Sequence, residues 1–280
     1  YYYRAVVENG AGTSYGSETA FMPKPQISGG GRHSLSLITD GTVWAWGYNW
    51  AGQLGDGSYM DRNTPVQVID LTDVAAVTGG YDHSITLKSD GTVWAWGNNG
   101  NGELGDGTNT QRTTPVQASS LSSIIAIAGG GWHSLALKSD GTVWAWGFND
   151  GGQLGNGTST NSNIPTQVSG LNDIIAIAGG WGFSLALKSD GTVWAWGWNG
   201  SGQLGDGTVT NSSTPVQVSG LGGVIAIAGG GWHALALKSD GTIWAWGQND
   251  KGQLGDGTTT NNSTPVQVSS IGEVIAIAAG

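Results

Sequence analysis

The chain has no cysteine and few cationic residues. Disulfides, thiolate metal sites and cysteine nucleophiles are therefore excluded. Only 10 Lys and Arg stand against 20 Asp and Glu, which gives a formal net charge of −10 at pH 7. Nucleic-acid binders usually carry the opposite sign, because their cations release counterions from phosphates. We therefore expect no nucleic-acid partner. We also expect no membrane insertion, because no apolar run reaches the roughly 18 residues that span a bilayer.

Glycine and tryptophan are abundant instead. The 51 glycines follow no collagen-like period, which indicates many tight turns. Tryptophan occurs 15 times against 3 phenylalanines. Because one aromatic side chain buries roughly 150–250 Å², we expect indole rings to dominate the packing.

The sequence repeats itself every 50 residues, in five units near 29–78, 79–128, 129–178, 179–228 and 229–278. Residues 134–138 and 142–146 alternate with period two around Asp140-Gly141, which predicts a hairpin with a type I′ turn. Two further extended stretches are 115–117 and 124–128, the latter apolar on both faces. Four strands per unit with apolar faces predict an all-β fold, a β-propeller of four-stranded blades. Val143 and Ala145 then face one way, and Trp144 and Trp146 the other.

The repeat GGxxHSLALKSDGTVWAWGxNxxGQLGDG resembles that of the regulator of chromosome condensation family over residues 29–280. The resemblance implies a propeller, seven-bladed in the best-known members, that binds proteins rather than catalysing a reaction. The family includes a eukaryotic exchange factor for a small GTPase and a secreted bacterial inhibitor of β-lactamases. It implies no cofactor.

The N-terminal segment differs from the repeats. Residues 1–21, with Tyr1, Tyr2 and Tyr3, resemble the C-terminal hairpin of a fibronectin type III domain. Residues 22–26 contain Pro23 and Pro25 and are interpreted as a linker to the propeller, residues 27–280. Five units do not fill a seven-bladed ring, so we expect the repeats to be part of a seven-bladed or longer array.

Two recurring polar positions are candidate metal ligands. One carries His33, His83, His133 and His233, with Phe183 in the fourth unit. The favoured interpretation is a hydrogen bond from each imidazole to a backbone group of its own blade, because repeat units copy their scaffold residues. The other carries Asp56, Asp106, Asp206 and Asp256, with Asn156. One carboxylate per loop is too few for calcium and is typical of a turn. No catalytic, cofactor-binding or metal-binding residue is predicted, and the chain is not expected to be an enzyme.

Positions that vary between units are rich in aromatics and predict a ligand-binding face: Arg32, Tyr48, Trp50, Tyr81, Asp82, Trp132, Phe148, Trp181, Trp198 and Trp232. Such residues suit protein hot spots or sugar stacking, and packing between blades is the alternative. The leading hypothesis is a non-enzymatic binding or scaffold module of a bacterial secreted or surface protein, with a protein or glycan ligand. One alternative is a regulatory propeller that grips an enzyme. Another is a spacer or assembly element that self-associates through open blade edges.

Overall fold

The computed structural model describes residues 26–280 with their side chains, and in the N-terminal segment the backbone of residues 2–3, 6–9, 12–15 and 19–20. Four short strands lie in that segment: β1 (Tyr2–Tyr3), β2 (Val6–Asn9), β3 (Gly12–Tyr15) and β4 (Thr19–Ala20). β2 pairs antiparallel with β3, and β1 with β4. The fibronectin-like interpretation of residues 1–21 stays a prediction. Residues 22–25 of the predicted linker lie outside the described residues, and Gln26 already begins a propeller strand.

Five antiparallel four-stranded sheets follow, which confirms the predicted all-β propeller blades. Blade 1 contains β5 (Gln26–Gly29), β6 (His33–Leu37), β7 (Val43–Gly47) and β8 (Arg62–Gln67). Blade 2 contains β9 (Val74–Gly79), β10 (His83–Lys88), β11 (Val93–Gly97) and β12 (Arg112–Gln117). Blade 3 contains β13 (Ile124–Gly129), β14 (His133–Lys138), β15 (Val143–Gly147) and β16 (Ser162–Gln167). Blade 4 contains β17 (Ile174–Gly179), β18 (Phe183–Lys188), β19 (Val193–Gly197) and β20 (Ser212–Gln217). Blade 5 contains β21 (Val224–Gly229), β22 (His233–Lys238), β23 (Ile243–Gly247) and β24 (Asn262–Gln267). No helix in the described residues is long and apolar enough to cross a membrane.

The blades are displaced from the sequence units by one strand. β13, at the end of the second unit, pairs with β14 of the third, with Ala128 opposite Leu135. It is therefore the first strand of blade 3 rather than the last strand of blade 2. The short Gly-rich loop between the two strands allows only this antiparallel pairing.

The hairpin between the second and third strands of each blade forms as predicted, but the type I′ turn is wrong. In blade 3, Gly141 has φ +79°, whereas Asp140 is absent from the residues with positive φ. The Gly141 N–H donates to the Lys138 carbonyl, and the Lys138 N–H donates to the Thr142 carbonyl. This is a three-residue loop with a glycine in the left-handed region. Asp140 instead accepts hydrogen bonds from the N–H and hydroxyl of Thr142 at 3.0 and 2.6 Å.

Tryptophan faces and small-residue faces interlock between blades. Trp146 of blade 3 is fully buried and packs in one cluster with Val93 and Ala95 of blade 2. Its indole Nε1–H donates to the Glu103 carbonyl of blade 2 at 2.8 Å. The same arrangement recurs at Trp96, Trp196 and Trp246. The predicted assignment of large and small side chains to opposite faces is confirmed.

The double glycines bring the first strands together around a central cavity of about 280 Å³. A Cβ on Gly129 would stand 2.5 Å from the Gly79 carbonyl oxygen of the preceding blade. A side chain at this position would therefore push neighbouring blades apart, which explains the glycine physically.

Candidate binding face

All the aromatic candidate positions lie at one end of the propeller. Strand direction alternates within each antiparallel blade, so the loops that follow the first and third strands emerge on the same side. The first of these loops carries Trp132 in blade 3, and the second carries Phe148. We call this end the aromatic face.

Six of the candidates form one connected cluster, which we call the aromatic patch. Trp181 is central: its ring centroid lies 5.4 Å from that of Tyr81 and 5.5 Å from those of Trp132 and Trp232. Trp132 also lies 5.7 Å from Tyr81 and 6.3 Å from Phe148. Trp198 stacks on Trp232 with centroids 5.4 Å apart and ring planes 24° apart. Because these residues come from blades 2, 3, 4 and 5, the patch spans three blade boundaries.

Packing between blades buries only part of the surface of the six rings. Trp181 and Trp198 remain 37% and 38% exposed, while the other four rings are half-buried. Edge-to-face and offset-stacked pairs at these separations stabilise each other. The rings therefore form a fixed apolar surface that solvent still reaches.

The other four candidates make no aromatic ring pair with the patch and lie at the boundary of blades 1 and 2. The Arg32 guanidinium lies 5.5 Å from the centre of the Tyr48 ring. Asp82 is buried and accepts a hydrogen bond from Gln53 Nε2 at 3.0 Å. Burial raises the pKa of Asp82, although a hydrogen bond from Trp50 and the charge of Arg32 act against that rise. Trp50 is half-exposed and joins no ring pair of the patch.

A buried asparagine, which was not among the predicted site residues, holds each long loop of the aromatic face. In blade 3, Asn149 Nδ2 donates to the carbonyls of Thr158 and Thr160, and its Oδ1 accepts from the Leu154 N–H at 2.9 Å. Asn49, Asn99, Asn199 and Asn249 do the same. The signal was available, because this Asn follows the Trp-Gly step by two residues in all five units. These hydrogen bonds thus hold the long loops that carry Phe148 and Trp198.

Three of the four histidines join neighbouring blades, which corrects, for these three, the predicted bond to a backbone group of their own blade. His133 Nε2 lies 2.8 Å from the Ser184 hydroxyl of the next blade. That hydroxyl donates to the Gln153 carbonyl at 2.9 Å, so the imidazole donates from Nε2. His33 with Ser84 and His83 with Ser134 repeat the contact. Burial lowers the pKa of His133 to about 3.

Phe183 takes the place of the histidine in blade 4. Ala234 takes the place of the serine that would face it in blade 5, and both side chains are buried in one cluster. The polar pair is thus replaced on both sides by apolar groups, which leaves no hydroxyl without a partner.

The aspartates of the LGDG loops are structural. Asp106 accepts hydrogen bonds from the N–H and hydroxyl of Thr108 and forms an ion pair with Arg112 at 2.9 Å. Burial alone raises the pKa of Asp106, but these hydrogen bonds outweigh it, and the net pKa lies below the usual value. Within the described residues, no three His, Asp or Glu side chains are placed to hold a metal ion.

Residues 16–280 match the family model for the RCC1-like domain. The chain belongs to the RCC1-like domain family. The match confirms the resemblance seen in the repeats and overlaps residues 16–21, the end of the segment predicted to be a fibronectin-like hairpin.

The ultraviolet-B receptor UVR8 of Arabidopsis thaliana is 51% identical over 43 residues, which are 15% of this chain and 10% of that protein. The probable E3 ubiquitin-protein ligase HERC3 of Homo sapiens is 45% identical over 47 residues, 17% of this chain and 4% of that protein. The matched segments are thus a small part of these relatives.

Several solved structures share the fold. Human WBSCR16 superposes with a TM-score of 0.82 at 29% identity, covering 91% of this chain and 69% of that one. Yeast RCC1 (Prp20), solved with Kap60 bound, gives a TM-score of 0.80 at 27% identity, covering 91% of this chain and 65% of that one. Prp20p from Saccharomyces cerevisiae, described with its binding to Gsp1p and histones, gives a TM-score of 0.79 at 23% identity, covering 88% of this chain and 63% of that one. At this identity the likeness is one of fold.

Proposed function

We propose that this RCC1-like propeller is a non-enzymatic binding module that holds a protein partner on its aromatic patch. One observation carries the proposal: six aromatic rings from four blades meet on one face, and two of their indoles remain more than a third exposed. Large apolar rings gathered on a surface usually mark an interaction site.

The chemistry of the patch suits a protein interface. Tyr and Trp are enriched among residues that dominate binding energy, and they bury a large area at a small cost in side-chain entropy. The rings already hold one another in place at 5.4–6.3 Å, so binding orders little that is not already ordered. The solved relatives support a protein ligand, because yeast RCC1 binds Kap60 and Prp20p was examined with Gsp1p and histones.

A paired substitution tests the proposal. We expect Trp132→Ser with Trp181→Ser to weaken partner capture from an extract of the source organism at least tenfold, because truncating a hot-spot residue typically costs about 2 kcal/mol or more. The matched control is Ile125→Ser with Ile175→Ser, which removes two side chains that are each 56% exposed and lie outside the patch. Capture should survive the control unchanged.

Two results would contradict a protein partner held on the aromatic patch. In one, the protein captured by the wild type is retained by the Trp132/Trp181 variant. In the other, a glycan array is bound through the patch while no protein is captured, which would assign the face to sugar stacking. Loss of capture in the Ile125/Ile175 control would place the interface elsewhere, as expected of a spacer that associates through its blade edges.

We further propose that the module works outside the cell or at the surface of a bacterium. The cysteine-free, acidic composition supports this, as does the fibronectin-like segment predicted at residues 1–21. Treating intact cells with protease and probing for the full-length protein tests the location. Digestion without cell lysis is the expected result, and protection until lysis would contradict it.

A further inference from the structure

At two boundaries between blades a crevice opens onto the aromatic face, and the residue at one repeated position distinguishes them. That position, directly after the Trp-Gly step, carries Tyr48, Asn98, Phe148, Trp198 and Gln248. It differs in all five units, next to the fixed Trp-Gly step.

Trp198 fills the crevice between blades 3 and 4. A Cβ added to Gly151 of blade 3 would overlap the Trp198 ring, and one added to Gly182 would stand 3.4 Å from it. The indole therefore lies against two bare glycine backbones, one on each side of the blade boundary.

The crevice between blades 4 and 5 is open. Gln248 takes the place of the tryptophan there, and a cavity of about 360 Å³ remains, lined by Trp198, Gly200, Ser201, Gln203, Trp232 and Gln248. Its walls include the stacked indoles of Trp198 and Trp232. Its polar groups are the hydroxyl of Ser201 and the amides of two glutamines, and no charged residue lines it.

We propose that this cavity receives an aromatic side chain of the protein partner, much as the preceding crevice receives Trp198. The inference rests on the proposed function and names the anchor that the partner supplies. An indole wall beside neutral amides favours a flat, uncharged guest with a hydrogen-bonding edge, such as Trp or Tyr. Ser201 has a Cβ where Gly151 has none, so the guest lies farther from the backbone than Trp198 does and rests on the two indoles.

The probe is N-acetyl-tryptophanamide, with binding measured by saturation-transfer NMR and calorimetry on the whole chain. We expect a Kd on the order of 1 mM, as suits a single small anchor. N-acetyl-leucinamide and methyl β-glucoside are the comparison ligands and should bind at least tenfold more weakly.

Two substitutions at one position separate filling of the cavity from loss of a contact. Gln248→Trp should occupy the cavity from within and weaken binding of the probe at least tenfold. Gln248→Ala leaves the cavity open and should keep the Kd within about twofold. If Gln248→Trp does not fold, as judged by circular dichroism, Trp232→Ala replaces it, with the same expected loss through removal of one wall.

Equal affinity of wild type and Gln248→Trp would overturn the proposal, as would equal binding of the leucine probe. Binding of the glucoside in preference to the indole would overturn the choice of guest. If the probe fails to bind while Trp132→Ser with Trp181→Ser still abolishes partner capture, the patch binds its partner without this anchor, and the proposed function stands alone.

Discussion

Removing the Ser184 hydroxyl should measurably loosen the contact between blades 3 and 4. This hydroxyl is fully buried, receives the His133 Nε2–H at 2.8 Å and donates to the Gln153 carbonyl at 2.9 Å. In Ser184→Ala the carbonyl keeps its bond from Trp196 Nε1 at 2.9 Å, but the imidazole N–H loses its partner. A buried donor left without an acceptor costs about 1–3 kcal/mol. We expect the free energy of unfolding to fall by that amount.

The protein contains its own control for this prediction. Where Phe183 replaces the histidine, Ala234 replaces the serine, and both are buried. His133→Phe with Ser184→Ala copies that pair. It should cost less than the two single changes added together, with a coupling energy of about 1 kcal/mol or more. The reverse pair, Phe183→His with Ala234→Ser, should likewise be tolerated better than either change alone.

The assay is urea unfolding followed by tryptophan fluorescence, compared at the transition midpoint. The four proteins of the cycle are the wild type, two single variants and the double variant. Additive effects, or a Ser184→Ala variant as stable as the wild type, would refute the claim that the histidines join the blades.

Three further predictions follow from buried groups. Burial lowers the pKa of His33 to about 4 and those of His83 and His133 to about 3. As the pH falls below about 6.5, the unfolded chain therefore binds protons at these histidines before the folded protein does. The free energy of unfolding should drop between about pH 6.5 and 4, by about 1.4 kcal/mol per pH unit for each such histidine. His133→Phe with Ser184→Ala should reduce the slope of that drop in urea titrations by the share of one histidine, and an unchanged slope would contradict it. Burial also raises the pKa of Glu103, so its ionisation opposes folding; Glu103→Gln, the residue of the other units, should raise the unfolding midpoint at pH 8 more than at pH 4, and an equal effect at both would count against it. Gly151→Ala should displace Trp198 and reduce the near-ultraviolet circular dichroism of its stack with Trp232, while Gly200→Ala, with nothing within 4 Å of the added Cβ, should not.

Local patterns predicted the strands well, because alternation and Asp-Gly steps act over a few residues. That alternation predicted the hairpin from 134 to 146, and it predicted that Trp146 lies on the opposite face of its strand from Ala145. The turn type did not, because Asp140 uses its carboxylate to bind Thr142 rather than adopting positive φ.

Contacts between blades lay beyond the reach of the repeat pattern. It shows that His133 and Ser184 recur, but not that residues 51 positions apart face each other across a boundary. The same limit applied to the binding face. The sequence grouped ten variable residues, and only the geometry separates the aromatic patch from the cluster around Arg32 and Tyr48.

Site-specific photo-crosslinking tests the central claim most directly. A benzophenone amino acid replaces Trp181 in the patch or Ile125 outside it, two positions that are 37% and 56% exposed in the wild type. If the patch holds the partner, position 181 forms a crosslink to one protein and position 125 does not. A crosslink to that protein from position 125, with none from position 181, would contradict the proposed binding face.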